Sequence, residues 1–369
     1  MSNMMSVLFA SDNESKLNEL TIHRTTASLP FCGRYRLIDF ILSNLVNSGV
    51  TTIGIIARSN YNSLMDHIRM GRDWGLNRKN GGLAVFPPYV MNTSRDMYKS
   101  KIEAIYSIND YIKKAKEDYI LITNGNVAYN FNFAGLYDAH IAQKADITML
   151  TYKSATTARR ILPVIGKNGR VSEIVFSNSQ SNSPADVAMN VYLMHKNLLL
   201  ELVESAFNRG QLDFEKDILM SKIDELKIYA YNVGGFVAII DDIKSYYYES
   251  MKLLQKSTRD MLFDSYGSIY TKVKDSVPTL YEDKAEVKNS LIADGCNING
   301  YVENSILFRG VKIEEGARVI NSIIMENGHI MHNTNMSYVI TDKNVKIKEN
   351  RNISGFETYP IVIVKDKTV

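Results

Sequence analysis

The sequence predicts an α/β fold in two parts: a Rossmann-like domain with a mostly parallel sheet, followed by a left-handed parallel β-helix. Three observations predict it. At 369 residues the chain exceeds what most single cores accommodate, so two domains are expected. Short apolar runs alternate with longer helical patterns through the first two thirds. The last quarter instead repeats aliphatic residues at intervals of six.

In chain order, residues 7–10, 52–57, 119–123, 146–151 and 188–195 read as strands. Between them, residues 36–48, 60–70 and 100–116 carry apolar side chains at helical spacing. Such alternation implies a parallel sheet covered by helices, whose ligands bind beyond the C-terminal ends of the strands. From about residue 281 the rhythm changes. Ile292 and Ile298 are six apart, as are Ile313, Val319 and Met325, Val339 and Val345, and Ile347 and Ile353. Gly295, Gly300, Gly310, Gly316 and Gly328 punctuate the run. One hexapeptide per face of a coil gives a left-handed β-helix, whose flat sides suit oligomerisation; a meander of short hairpins is the alternative. The expected division is 1–254 for the sheet domain, 255–280 for a linker and 281–369 for the β-helix.

Composition excludes several classes. Hydrophobic residues form 45% and charged residues 22% of the chain, as in an ordinary globular protein. A net charge of +3, with no basic stripe interleaved with aromatics, gives no nucleic-acid footprint. No apolar stretch approaches the roughly 18 residues that span a bilayer, so no membrane partner is expected. The opening MSNMMSVLFAS lacks a basic flank and reads as a first strand, not a signal peptide. Cys32 and Cys296 have no metal-ligand spacing, and a reduced, cytoplasmic protein is expected.

Several blocks are more specific. PFCGRYRLIDF at 30–40, LSNLVNSG at 42–49, WGLNRKNGGLAVFPPY at 74–89, the segment 104–106, DFEKDI at 213–218 and the hexapeptide tail 289–325 together resemble glucose-1-phosphate adenylyltransferase (ADP-glucose pyrophosphorylase). The resemblance covers nearly the whole chain. It implies a nucleotidyltransferase domain joined to a β-helix, tetrameric assembly and a place in bacterial glycogen synthesis. The implied reaction joins ATP to glucose 1-phosphate and releases pyrophosphate. It needs a glycine-rich loop, carboxylates for Mg²⁺ and cations for charged substrates.

The chain departs from that pattern where the chemistry would be. The family's G-G-x-G-x-R-L loop is replaced by Ser11-Asp12-Asn13-Glu14-Ser15-Lys16-Leu17, a good helix start with carboxylates where phosphates would lie. The S-G-D-H block, whose aspartate holds Mg²⁺, becomes Asn124-Gly125-Asn126-Val127. The second metal aspartate becomes Ile239, with Asp241 and Asp242 two and three residues on. The sugar-phosphate block E-E-K-P becomes Val175-Phe176-Ser177-Asn178; Ala188 and Thr26 replace a serine and a lysine, while Tyr98 and Gly125 remain. Losses confined to one site on a kept scaffold are similar to those of the family's non-catalytic, regulatory D-type subunits in Firmicutes.

The resemblance therefore implies a regulatory pseudoenzyme. It would carry no cofactor itself, with Mg²⁺ held by a catalytic paralogue in a hetero-oligomer; a homo-oligomer of the chain alone is also open. An effector site for a sugar phosphate is implied between the domains, with His23, Arg24 and Arg36 at the matching positions and Arg34 as a further candidate. Two other functions are open: a working sugar-nucleotide transferase whose metal is held by Asp241 or Asp242, and a hexapeptide acyltransferase. His67, His140, His195, His329 and His332 show no metal spacing, and Tyr246, Tyr247 and Tyr248 are read as core or interface.

Overall fold

The computed structural model describes residues 3–11, 14–87, 98, 100–156, 160–177 and 181–369. Asp12, Asn13 and Asn178 lie outside the described residues. The first elements are β1 (Met4–Phe9), α1 (Glu14–Thr21), the hairpin strands β2 (Pro30–Phe31) and β3 (Tyr35–Arg36), and α2 (Leu37–Asn47). Every residue of β1 is buried, as its apolar run requires of a central strand. The tip of the β2–β3 hairpin takes left-handed backbone at Cys32 and Gly33, with φ of 51° and 75°. α2 starts on a capping box in which the Arg36 N–H donates to Asp39 Oδ2 at 3.0 Å.

The sheet is completed by β4 (Thr52–Ile56), α3 (Asn62–Ile68), β5 (Gly82–Phe86), α4 (Lys101–Ser107), α5 (Asn109–Lys114), β6 (Tyr119–Asn124), β7 (Val127–Tyr129), α6 (Phe133–Ala142) and β8 (Ile147–Thr156). There follow β9 (Ile161–Ile165), β10 (Val171–Phe176), β11 (Ser181–His195), α7 (Lys196–Asn208), β12 (Ile228–Asn232), β13 (Val237–Ile239), α8 (Ile243–Lys252) and α9 (Lys256–Phe263). Seven strands form the main sheet in the order β12-β8-β11-β6-β1-β4-β5. All its pairings are parallel except those of β11, which runs antiparallel between β6 and β8. Alternation along β1 sends Met5, Val7 and Phe9 to a core shared with α4, α5 and α7, and Met4 and Leu8 to one shared with α2, α3 and α6.

The structure corrects three details. The helix expected over 100–116 breaks at Ile108 (φ −109°, ψ 16°), so α4 and α5 are separate. β11 extends the expected 188–195 strand back to Ser181 and reverses its direction against the rest of the sheet. The expected linker contains α9 and is pinned along α2. Tyr270 N–H donates to Ser43 Oγ at 2.8 Å, Thr271 Oγ1 to Asp39 Oδ2 at 2.6 Å, and Asn47 Nδ2 to Ser268 O at 3.0 Å.

The tail is a three-faced left-handed parallel β-helix: three five-stranded sheets, all paired in parallel, which excludes the hairpin meander. Ile298, Ile313, Ile330 and Ile347 stack on one face, so successive coils span 15, 17 and 17 residues. Gly295, Gly310 and Gly316 make corners with φ of 71° to 76°, and Asn304, Asn321, Asn327, Asn333, Asn344 and Asn350 do the same at other corners. Gly300 and Gly328 serve close packing instead. A Cβ on Gly300 would lie 2.5 Å from Ala317 O.

A third core joins the two parts. Leu17, Leu20, Phe31, Phe40 and Tyr246 pack with Ile306, Phe308, Ile323, Met325 and Ile340 of the β-helix. Tyr246 and Tyr247 donate to Pro30 O and Asn321 O, each at 2.8 Å, whereas Tyr248 is half exposed. At this junction Arg24 is buried and forks onto Asp342 at 2.8 and 3.0 Å. Leaving either charge alone in that setting is costly. Arg24→Ala and Asp342→Ala should each lower unfolding free energy by about 3–5 kcal/mol, read by denaturant titration of the full chain. The double variant should cost less than the two single losses added together.

Candidate functional site

The cleft beyond the C-terminal ends of β1 and β6 is where this fold places chemistry. Ser11 follows β1 and accepts the Arg58 N–H at 3.3 Å; Lys16 is exposed on α1 and Leu17 is buried in the third core. Gly125 has a packing role: its N–H donates to Phe9 O at 2.8 Å, and a Cβ there would meet the Ala27 Cβ at 2.6 Å. Asn126 is 4% exposed, and its Nδ2 donates to Ile240 O at 3.3 Å and to Asp241 Oδ1 at 3.1 Å. Ile239 sits in the apolar core on β13, which pairs with β7 at Val127.

Asp241 Oδ2 lies 2.6 Å from Arg160 Nη2. Asp242 is the N-cap of α8, accepting the Ser245 N–H at 2.7 Å. These residues do not fit a divalent cation. Asn126 offers only a neutral carbonyl oxygen, Ile239 offers nothing, and the Asp241 carboxylate is already held by a guanidinium. Among the described residues no group of three or more His, Cys, Asp or Glu could hold a metal ion.

The sugar-phosphate positions are equally bland. Val175 is exposed, Phe176 lies under the Lys216 ammonium at 5.2 Å, Ser177 Oγ accepts the Arg160 N–H at 2.9 Å, and Ala188, Thr26 and Tyr98 are buried.

A second cleft lies between the sheet domain and the β-helix. It is lined by six cations, Arg34, Arg36, Lys272, Lys274, Arg309 and Lys343, against two carboxylates, Asp66 and Glu326. Arg36 is anchored by donating to Ser63 O at 2.7 Å and Ser63 Oγ at 3.1 Å. Burial lowers the pKa of its guanidinium, with Glu326 and Asp39 opposing. Burial alone would raise Glu326, but Lys343 and Lys274 outweigh it and hold the carboxyl at about 2. Lys343 contacts Glu326, yet burial draws its ammonium down to about 8.

At the wall of this cleft the fully buried Asp39 accepts from Arg36 N, Thr271 Oγ1 and the His67 ring at 2.5 Å. Burial lowers His67, opposed by Asp39. Of the three expected effector residues, only Arg36 lines the cleft. His23 is exposed on the surface, and Arg24 is engaged by Asp342 rather than open to an anion.

Sequence reasoning missed the cations contributed from far along the chain, Lys272, Lys274, Arg309 and Lys343. It also missed Glu314, whose two oxygens bring together His329 Nε2 at 2.5 Å and His332 Nε2 at 3.1 Å. His67 and His140 are buried on Asp39 and Thr148, and His195 caps α7. Both cysteines are free, and burial raises the Cys32 thiol to about 12. No helix among the described residues is long and apolar enough to cross a membrane.

Comparison with known proteins agrees with this geometry. Residues 6–256 match the nucleotidyl transferase family, and residues 276–358 match the GlmU-like C-terminal hexapeptide family. The chain is 30% identical over 369 residues to a glucose-1-phosphate adenylyltransferase of Bacillus cytotoxicus, covering 99% of this chain and 98% of that protein. It is 32% identical over 362 residues to the glycogen biosynthesis protein GlgD of Bacillus subtilis, covering 98% and 96%. A glucose-1-phosphate adenylyltransferase of Bacillus mycoides is 31% identical over 349 residues, covering 94% and 93%. With a nucleotidyl transferase sheet domain, a hexapeptide β-helix and relatives of nearly equal length, the chain belongs to the nucleotidyl transferase family, alongside the glucose-1-phosphate adenylyltransferases and GlgD.

Proposed function

We propose that this chain is a non-catalytic, regulatory subunit of a glucose-1-phosphate adenylyltransferase in bacterial glycogen synthesis. It pairs with a catalytic paralogue, in a heterotetramer, and modulates the paralogue's rate. The observation that carries this reading is the strand-edge cleft, where Asn126 and Ile239 stand at the two metal positions. The alternative of a transferase with relocated ligands finds little support there. Asp241 is paired with Arg160, and Asp242 is used up in capping α8. Mg²⁺ would then belong to the partner's site.

The cleft between the parts supports an effector role. Six cations against two carboxylates is an arrangement that favours a phosphorylated sugar, and Arg36 is the expected residue that lines it. Arg24 would act through the junction: its partner Asp342 immediately precedes Lys343, so the ion pair fixes where that ammonium stands.

The purified chain should show no turnover of ATP and glucose 1-phosphate with Mg²⁺, and should change the rate or effector response of the catalytic paralogue when the two are mixed. Appreciable turnover alone, or an indifferent paralogue, refutes the reading. Arg36→Ala should weaken binding of a sugar bisphosphate by about tenfold, as expected for a lost charge-assisted contact, measured by calorimetry. Binding should also weaken as pH rises through about 8, where Lys343 gives up its proton, and Lys343→Met should flatten that dependence.

A further inference from the structure

The Arg160–Asp241 pair ties the β9–β10 hairpin to the end of β13. Arg160 stands immediately before β9, and its backbone is locked to the far end of β10: Ser177 N–H donates to Arg160 O at 2.8 Å and Arg160 N–H to Ser177 Oγ at 2.9 Å. From that fixed base the guanidinium reaches Asp241, which follows β13, with Nη2 2.6 Å from Oδ2. The other oxygen, Oδ1, receives the Asn126 amide at 3.1 Å. Each carboxylate oxygen thus already holds an N–H donor, and the guanidinium neutralises the charge that a metal would otherwise draw on.

A second carboxylate lies in the same field. Glu249 of α8 holds Lys252 Nζ at 2.7 Å, and burial raises its pKa while Lys252 and Arg160 oppose the rise. Tyr152 senses Arg160, Glu249 and Asp241 together. Each of these two carboxylates has a cation beside it, Arg160 at Asp241 and Lys252 at Glu249. Asn126 Oδ1 and Glu249 Oε2 are buried with no hydrogen-bond partner among the described residues, so this corner keeps two acceptors unused.

We propose that the Arg160 guanidinium is a resident cation that stands beside Asp241 in place of a divalent ion. The wild-type cleft then takes no divalent ion, and deleting the guanidinium opens a site for one. Arg160 is a positioning residue: it holds Asp241 and Asn126 in the arrangement that a metal would otherwise impose. The inference is independent of the regulatory reading, which turnover of the isolated chain decides.

The test is the thermal melting of the full chain with and without millimolar Mn²⁺, alongside Mn²⁺ titration followed by electron paramagnetic resonance. Wild type should show an unmoved melting temperature and no saturable site. Arg160→Ala should melt several degrees lower and recover with Mn²⁺, binding one ion per chain. Adding Asn126→Asp should tighten that ion, and Asp241→Asn in the Arg160→Ala background should abolish the rescue. A saturable Mn²⁺ site on wild type that Asp241→Asn removes would overturn the inference. So would an Arg160→Ala chain that is destabilised but not rescued, the behaviour of a purely structural ion pair. Should Arg160→Ala fail to fold, Arg160→Gln serves in its place, and the wild-type titration remains decisive by itself.

Discussion

The buried fork between Arg24 and Asp342 is the constraint on which the rest of the junction depends. Apolar contact alone, between Phe31, Phe40 and Tyr246 on one side and Ile306, Ile323 and Ile340 on the other, is tolerant of sliding. A bidentate guanidinium–carboxylate pair is not. Its two hydrogen bonds fix distance and angle together, and displacement leaves a charge stranded in an apolar layer. The pair therefore sets the register of the β-helix against the sheet domain, and the linker residues Tyr270 and Thr271 repeat that constraint along α2.

That register determines the electrostatics of the second cleft. Arg34 and Arg36 come from the β2–β3 hairpin, Lys272 and Lys274 from the linker, and Arg309 and Lys343 from two coils of the β-helix. Like charges gathered from three segments repel, so the arrangement persists only because each segment is held by something else. Arg36 is held by Ser63 and the start of α2, Arg309 by Asp294 at 3.1 Å, and Lys274 and Lys343 by the shared Glu326. Burial of Lys343 shows the cost that remains, since its ammonium is drawn down to about 8 beside a carboxylate.

Much of the fold was legible because its signals are local. The six-residue period of Ile313, Val319 and Met325 reports directly which side chains point inward, and all three are buried. The run in β1 likewise announces a central strand. What escaped was set by geometry at a distance. Ser107, Asn109 and Asp110 mark the break between α4 and α5 only weakly against the helical spacing around them, and no local signal tells an antiparallel β11 from a parallel one. The asparagine corners of the β-helix follow from their tolerance of left-handed backbone, a weaker sequence signal than glycine. The candidate site divides in the same way. Absences at Asn126 and Ile239 could be read position by position, whereas Arg160 on Asp241, Arg24 on Asp342 and Lys343 beside Arg36 join residues 81, 318 and 307 positions apart.

The two clefts follow opposite charge rules, and the contrast bears on what each can do. At the strand edge, Asp241 and Glu249 each have a cation beside them, Arg160 and Lys252, so the charges there are paired off locally. Between the parts, six cations face two carboxylates, and even with Arg309 paired to Asp294 the groove keeps an excess of positive charge. Such an excess is relieved by an anion and by little else, because the surrounding cations are too well anchored to turn away. Binding there would act on the contact that holds sheet domain and β-helix in register, since Lys343 and Asp342 are neighbours in the chain. Under the proposed regulatory reading, a ligand that neutralises the groove would couple to the junction itself, as a signal passed between sites requires.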